Sequence, residues 1–118
     1  MGHVNVTVPR VQEEAARHFY GVLLGLHQIP KPEGTRQNLG AWYQLGAIQL
    51  HLSIEDDVQN EASDRHVCYK IEDAAVAESN LRNSGVQVIP DPRPVAGVKR
   101  FYIRDPGGNL IELAQEAG

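Results

Sequence analysis

His3-Val4-Asn5-Val6-Thr7-Val8 and, 63 residues further on, His66-Val67-Cys68-Tyr69-Lys70-Ile71 carry one pattern: a leading histidine, then apolar and polar residues in alternation. Period-2 alternation is that of a β-strand with one covered face. The segment after each hexamer repeats as well. In the first half, Val11, Ala15, Phe19, Val22 and Leu23 predict an amphipathic helix stopped at Gly25; in the second, Asp73 is placed to cap a helix that runs through Leu81 to Gly85. Later landmarks keep nearly the same offset, with Gly25 to Gly85 at 60, Tyr43 to Tyr102 at 59 and His51 to Glu112 at 61. Trp42-Tyr43 parallels Phe101-Tyr102, and Leu50-His51-Leu52 parallels Ile111-Glu112-Leu113. Gly46 marks the turn in the first half, Asp105-Pro106-Gly107-Gly108 the turn in the second. Each half reads strand, helix, three strands. The second strand is short and runs into Pro30 in the first half, and is the more convincing one, at residues 86–89, in the second.

A duplicated βαβββ unit predicts an α+β fold: two modules, about 1–54 and 65–118, joined by a polar linker at 55–64 and forming a curved mixed sheet. With 118 residues and 42% hydrophobic content the chain suits one domain with a real core. Eleven Lys and Arg against fifteen Asp and Glu leave a net charge of −4, and the basic residues are scattered, which argues against nucleic acid as a partner. Cys68 is the single cysteine, so no internal disulfide is available, and the opening Met-Gly-His-Val-Asn-Val lacks the features of a secretory leader. No apolar run reaches membrane-spanning length. A cytoplasmic protein without membrane attachment is the expectation.

Alternation also says which way side chains point. Val4, Val6 and Val8 face the core, leaving His3, Asn5 and Thr7 opposite; Val67, Tyr69 and Ile71 oppose His66, Cys68 and Lys70. Ile48, Leu50 and Leu52 oppose Gln49, His51 and Ser53, and Ile111 and Leu113 leave Glu112 on the far side. For one histidine on such a face, simple solvation is the usual explanation. Here three of the five histidines and one carboxylate occupy repeat-equivalent positions, which a rough twofold axis would gather at the centre of the sheet. Imidazole and carboxylate donors suit Zn, Ni, Fe or Mn, and two His with one carboxylate leave coordination positions for substrate.

The stretch Arg100-Phe101-Tyr102-Ile103-Arg104-Asp105-Pro106-Gly107-Gly108-Asn109-Leu110-Ile111-Glu112-Leu113 resembles the FYxxDPxGNxxEL ending of the vicinal oxygen chelate superfamily, which includes glyoxalases, bleomycin resistance proteins and extradiol dioxygenases. The resemblance covers nearly the whole chain. It implies that His3, His66 and Glu112 are the two-His, one-carboxylate ligand set for one divalent metal ion, with His51 at the fourth position. Glyoxalases commonly place a metal-binding carboxylate there and ring-cleaving dioxygenases place no ligand, so a histidine departs from both. His51 is thus a candidate fourth ligand or an acid/base group, for which an imidazole is suited.

The resemblance further implies a small-molecule enzyme whose metal binds two neighbouring substrate oxygens and stabilises the developing enolate. Glyoxalase-like lyase or isomerase chemistry comes first, with Glu112 or His51 moving the proton and Tyr102 a candidate donor to an oxyanion. An Fe(II) extradiol dioxygenase is the alternative, and a metal-free, bleomycin-resistance-like drug-binding protein a third. Seven aromatic residues and a full ligand set argue against the last. Thiol transfer to fosfomycin ranks lower, because no basic cluster suits a phosphonate. Trp42, Tyr43 and Phe101 default to core packing and Cys68 to a small buried apolar group, while Lys70 is a rim charge and His18 and His27 receive no role. A homodimer is implied by the resemblance, and sequence leaves open whether the site closes within one chain or across two.

Overall fold

Strands that alternate apolar with polar residues need a cover on one face, and here helices supply it. The computed structural model describes residues 2–35 and 39–116. The first sheet is ordered β1 (His3–Val8), β4 (Ile48–Ile54), β3 (Ala41–Leu45), β2 (His27–Ile29); the second is β5 (His66–Lys70), β8 (Leu110–Glu116), β7 (Val98–Arg104), β6 (Ile89–Pro90). β1 pairs parallel with β4 and β5 with β8, and the remaining pairs are antiparallel. A parallel pair requires a crossover, which contains α1 (Glu13–His18) in the first half and α2 (Ala74–Asn83) in the second. The expected α+β architecture is therefore present, as two open four-stranded mixed sheets.

The covered faces are those that alternation assigns. Val8, Tyr20, Tyr43, Leu50, Leu52 and Ile103 are fully buried, joined by Phe101, Ile111 and Leu113. Burial of each such side chain is worth about 1.5–3 kcal/mol. Asp73 caps α2 as expected, accepting from the Val76 N–H at 3.0 Å.

Three local expectations need correction. In the first helix Val11 and Val22 are exposed, and the buried residues are Ala16, Phe19 and Tyr20. Val11 lies in a 3-10 turn at Arg10–Gln12 before α1, and a wide π-helical turn at Phe19–Leu23 follows it, so the apolar residues do not share one regular 3.6-residue stripe. The second strand of the second half is reduced to Ile89–Pro90, because the Val86 N–H bonds the Leu81 carbonyl to close α2, while β2 at His27–Ile29 does form. Cys68 is exposed, not a buried apolar filler.

The Asp105-Pro106-Gly107-Gly108 turn joins the two halves. Asp105 is buried and accepts from Tyr20 Oη of the first half at 2.5 Å and from the N–H groups of Gly107 and Asn109. Asn109 Nδ2 and Asn60 Nδ2 both donate to the Thr7 carbonyl, at 2.9 and 2.8 Å. A side chain at Gly107 would meet Val8 Cγ1 at 2.4 Å, so only glycine allows this approach. The signature loop is thus a structural joint, with its amides spent on Asp105.

Candidate functional site

In the first half, β4 sets His51 directly across from Trp42 on β3 and Asn5 on β1. The three rings stack: Trp42 on one side of His51 at 3.6 Å between centroids and 5° between planes, His3 on the other at 4.0 Å and 14°. His51 Nε2 lies 2.9 Å from Gln49 Oε1. That oxygen only accepts, so the proton sits on Nε2 and Nδ1 keeps a lone pair. Burial lowers the His51 pKa, aided by nearby His3 and Lys31, which keeps the ring neutral. Lys31 is held by the Leu39 carbonyl beside a crevice of about 350 Å³ that Trp42 and His51 line.

In the second half, Glu112 on β8 is flanked by Cys68 on β5 and Tyr102 on β7. His66 Nε2 stands 3.1 Å from Glu112 Oε1. Its Nδ1 is 2.9 Å from the Asp64 carbonyl, an acceptor only, so Nδ1 carries a proton and Nε2 is the nitrogen turned to the carboxylate. Arg100 NH1 is 3.6 Å from Glu112 Oε2, and Tyr102 meets the His66 ring edge-on at 5.8 Å. Partial desolvation of the side chain, for Cys68 in a residue that is exposed as a whole, and the Glu112 charge raise the pKa of both Cys68 and Tyr102, so thiol and phenol stay protonated at neutral pH.

The residues predicted from sequence therefore assemble as two groups: His3 with His51, and His66 with Glu112 and Tyr102. Within one chain the groups do not converge. Among the described residues no three His, Cys, Asp or Glu side chains are close enough to hold a metal ion. A crevice of about 500 Å³ opens between the halves, with Asn5 and Thr7 on one wall and Arg65, His66 and Leu110 on the other. His18 and His27 are exposed. Sequence reasoning missed Arg100 and Asp91 and assigned Trp42 to the core. Alternation along β7 does place Arg100 on the face of Tyr102, but the link from Arg100 to Asp91 crosses a loop and leaves no periodic trace.

The donors in the second half fit a metal ion. Nε2 and a carboxylate oxygen 3.1 Å apart need positive charge between them, which either a proton on Nε2 or a bound cation supplies. Adjacent ligands of one divalent ion, each bound at about 2.1 Å, stand about 3.0–3.4 Å apart, so a cation beside both atoms needs little rearrangement.

The model of the Glyoxalase/Bleomycin resistance protein/Dioxygenase superfamily matches residues 1–113. A solved structure of a Bacillus anthracis protein assigned to the glyoxalase family superposes with a TM-score of 0.86 at 34% identity, covering 98% of this chain and 93% of that one. Lactoylglutathione lyase from Agrobacterium tumefaciens gives 0.73 at 21% identity, over 98% and 92% of the two chains. The fosfomycin resistance protein FosX from Listeria monocytogenes gives 0.79 at 16%, over 100% and 90%. At such identities the last two share the fold alone. No curated protein matches.

Proposed function

Because the chain belongs to the glyoxalase/bleomycin resistance protein/dioxygenase superfamily, we propose that it is a metal-dependent enzyme acting on a small molecule by glyoxalase-like lyase or isomerase chemistry. His3, His66 and Glu112 are the ligands of one divalent ion, Zn, Ni, Fe or Mn. The observation that carries this reading is His66 Nε2 facing Glu112 Oε1 with Nδ1 tied to a backbone carbonyl.

Each half offers too few donors alone, so a symmetric homodimer completes the centre by opposing the His3 face of one copy to the His66 and Glu112 face of another. β1 and β5, which carry these histidines, are each paired on one side only, leaving edges available for such an assembly. The bound ion supplies Lewis-acid stabilisation of negative charge on substrate oxygens. His51, pressed between His3 and Trp42, holds the His3 ring in place and stays neutral, so its Nδ1 can accept a substrate proton. Tyr102, kept protonated, donates to an oxygen that gains charge. Glu112 is the second candidate for moving the proton.

One observation favours a second reading. Gln49 engages Nε2 of His51, and with Nδ1 kept for proton transfer the centre has three ligands and open positions, as an extradiol-type Fe(II) dioxygenase requires. Elemental analysis of protein purified without chelator tests both. Near-stoichiometric Zn or Ni supports the isomerase, iron supports the dioxygenase, and no metal after reconstitution defeats both in favour of a metal-free binding protein. His66→Ala and Glu112→Ala should each abolish metal uptake, and His51→Ala should retain part of it.

A further inference from the structure

We propose that Asp91 and Arg100 are positioning residues that set the orientation of Glu112, so that the loop at residues 91–97 tunes the affinity of the metal centre. The inference rests on the metal-site reading above but concerns residues outside the ligand set. Arg100 is committed in three directions. Its Nε donates to Asp91 Oδ2 at 2.7 Å, its NH2 donates to the Arg93 carbonyl at 2.8 Å, and its NH1 lies 3.6 Å from Glu112 Oε2. The last is an electrostatic contact, longer than a hydrogen bond. The Arg100 side chain is 19% exposed and those of Asp91 and Glu112 11% each, so the chain of three is half-withdrawn from water.

A guanidinium is a rigid planar fork, so fixing Nε and NH2 fixes where NH1 points. Glu112 then has divided duties: Oε2 toward Arg100, Oε1 toward His66. That division holds the carboxylate as a one-oxygen ligand. Arg100 held this way is not a free anion hook for substrate. The Arg100 bond also holds the Asp91 carboxyl below its ordinary pKa, consistent with a persistent ion pair.

Electrostatics and positioning predict opposite signs, which makes the test decisive. Replacing Arg100 by a neutral residue removes a like charge and, on charge alone, tightens cation binding; loss of orientation weakens it. Zinc affinity of the full-length protein is measured by chelator competition, for wild type, Glu112→Ala, Arg100→Gln, Arg100→Lys, Asp91→Asn and the Asp91→Asn/Arg100→Gln double variant, with circular dichroism of the metal-free forms as the folding check. The expected result is about 10–100-fold weaker binding in Arg100→Gln, the range for groups that orient a ligand. Arg100→Lys, charged but without the fork, weakens as well, and it carries the test if Arg100→Gln does not fold. The double variant is no weaker than Arg100→Gln, because the two residues act in series. Unchanged or tighter binding in Arg100→Gln, wild-type affinity in Arg100→Lys, or losses that add in the double variant overturn the relay while leaving the ligand set intact. Wild type binding no better than Glu112→Ala overturns both.

Discussion

Asp105 shows how one buried carboxylate can hold two halves of a protein together. It is 4% exposed and accepts four hydrogen bonds, from Tyr20 Oη, the N–H groups of Gly107 and Asn109, and Asn109 Nδ2. Burial raises its pKa against the pull of those donors, and burial followed by the Asp105 charge raises that of Tyr20 well above 10.0. Both groups therefore bind protons more readily folded than unfolded, so stability falls as pH rises: above the ordinary carboxylate value for Asp105, and above pH 10 for Tyr20. Tyr20→Phe cannot ionise. It should cost about 1–3 kcal/mol at neutral pH by leaving Asp105 short of a donor. Above pH 10 its urea midpoint should then decline less steeply than that of wild type, with a residual slope from Tyr69, which is raised for the same reason. Parallel alkaline limbs would show that Tyr20 does not titrate on unfolding. Asp105→Ala strands several donors at once and should cost about 3 kcal/mol or more in the same assay.

Elements are where sequence and structure part company in instructive ways. Two glycines at positive φ bracket β3 and look alike in sequence. At Gly46 (φ 58°) a side chain would meet nothing within 4 Å, whereas at Gly40 (φ 72°) it would lie 2.0 Å from the Leu52 carbonyl oxygen. Gly40 is also clamped by α1, donating its N–H to Glu13 and accepting from Arg17. Gly46→Ala should cost about 1 kcal/mol, the penalty for a left-handed alanine, and Gly40→Ala several times that by urea unfolding. Equal costs would mean that the backbone near Leu52 yields freely. The strands were legible because alternation is a local signal: it placed His3, His51, His66 and Glu112 on the face opposite the core, where His51 and Glu112 are nonetheless buried, and paired Tyr43 and Phe101 with the core. The face of the first helix was not, because a 3-10 turn at Arg10–Gln12, a short α-helix and a π-helical turn at Phe19–Leu23 follow one another and break the period that makes a stripe readable. β6 shrank because Val86 closes a helix, a bond that apolar content does not announce. The separation of His3 and His51 from His66 and Glu112 was illegible for a deeper reason. It depends on how the halves dock, through contacts such as Tyr20 to Asp105 and Thr7 to Asn109, between residues 85 and 102 positions apart.

The whole molecule presents two separate groups of polar side chains, His3 with His51 and His66 with Glu112, and an elongated outline, 46 × 29 × 27 Å. If His3, His66 and Glu112 bind one ion as proposed, the centre forms either across two copies or within one chain, and the two routes differ in one measurable respect. Across a symmetric dimer, each centre takes His3 from one copy and His66 with Glu112 from the other. A His3→Ala chain then retains a sound second half, and a Glu112→Ala chain a sound first half. Alone, each variant binds no metal tightly. Unfolded together and refolded as an equal mixture, about half the dimers are mixed, and each mixed dimer holds one intact centre of two, so zinc content should recover to about a quarter of wild type. Equilibrium dialysis of the variants, separate and mixed, reads this directly. Recovery requires shared centres, because no centre built within one chain can be restored by mixing these two defects. Zinc in the mixture no higher than the mean of the separate variants would place the ligands in one chain and rule out the dimeric arrangement.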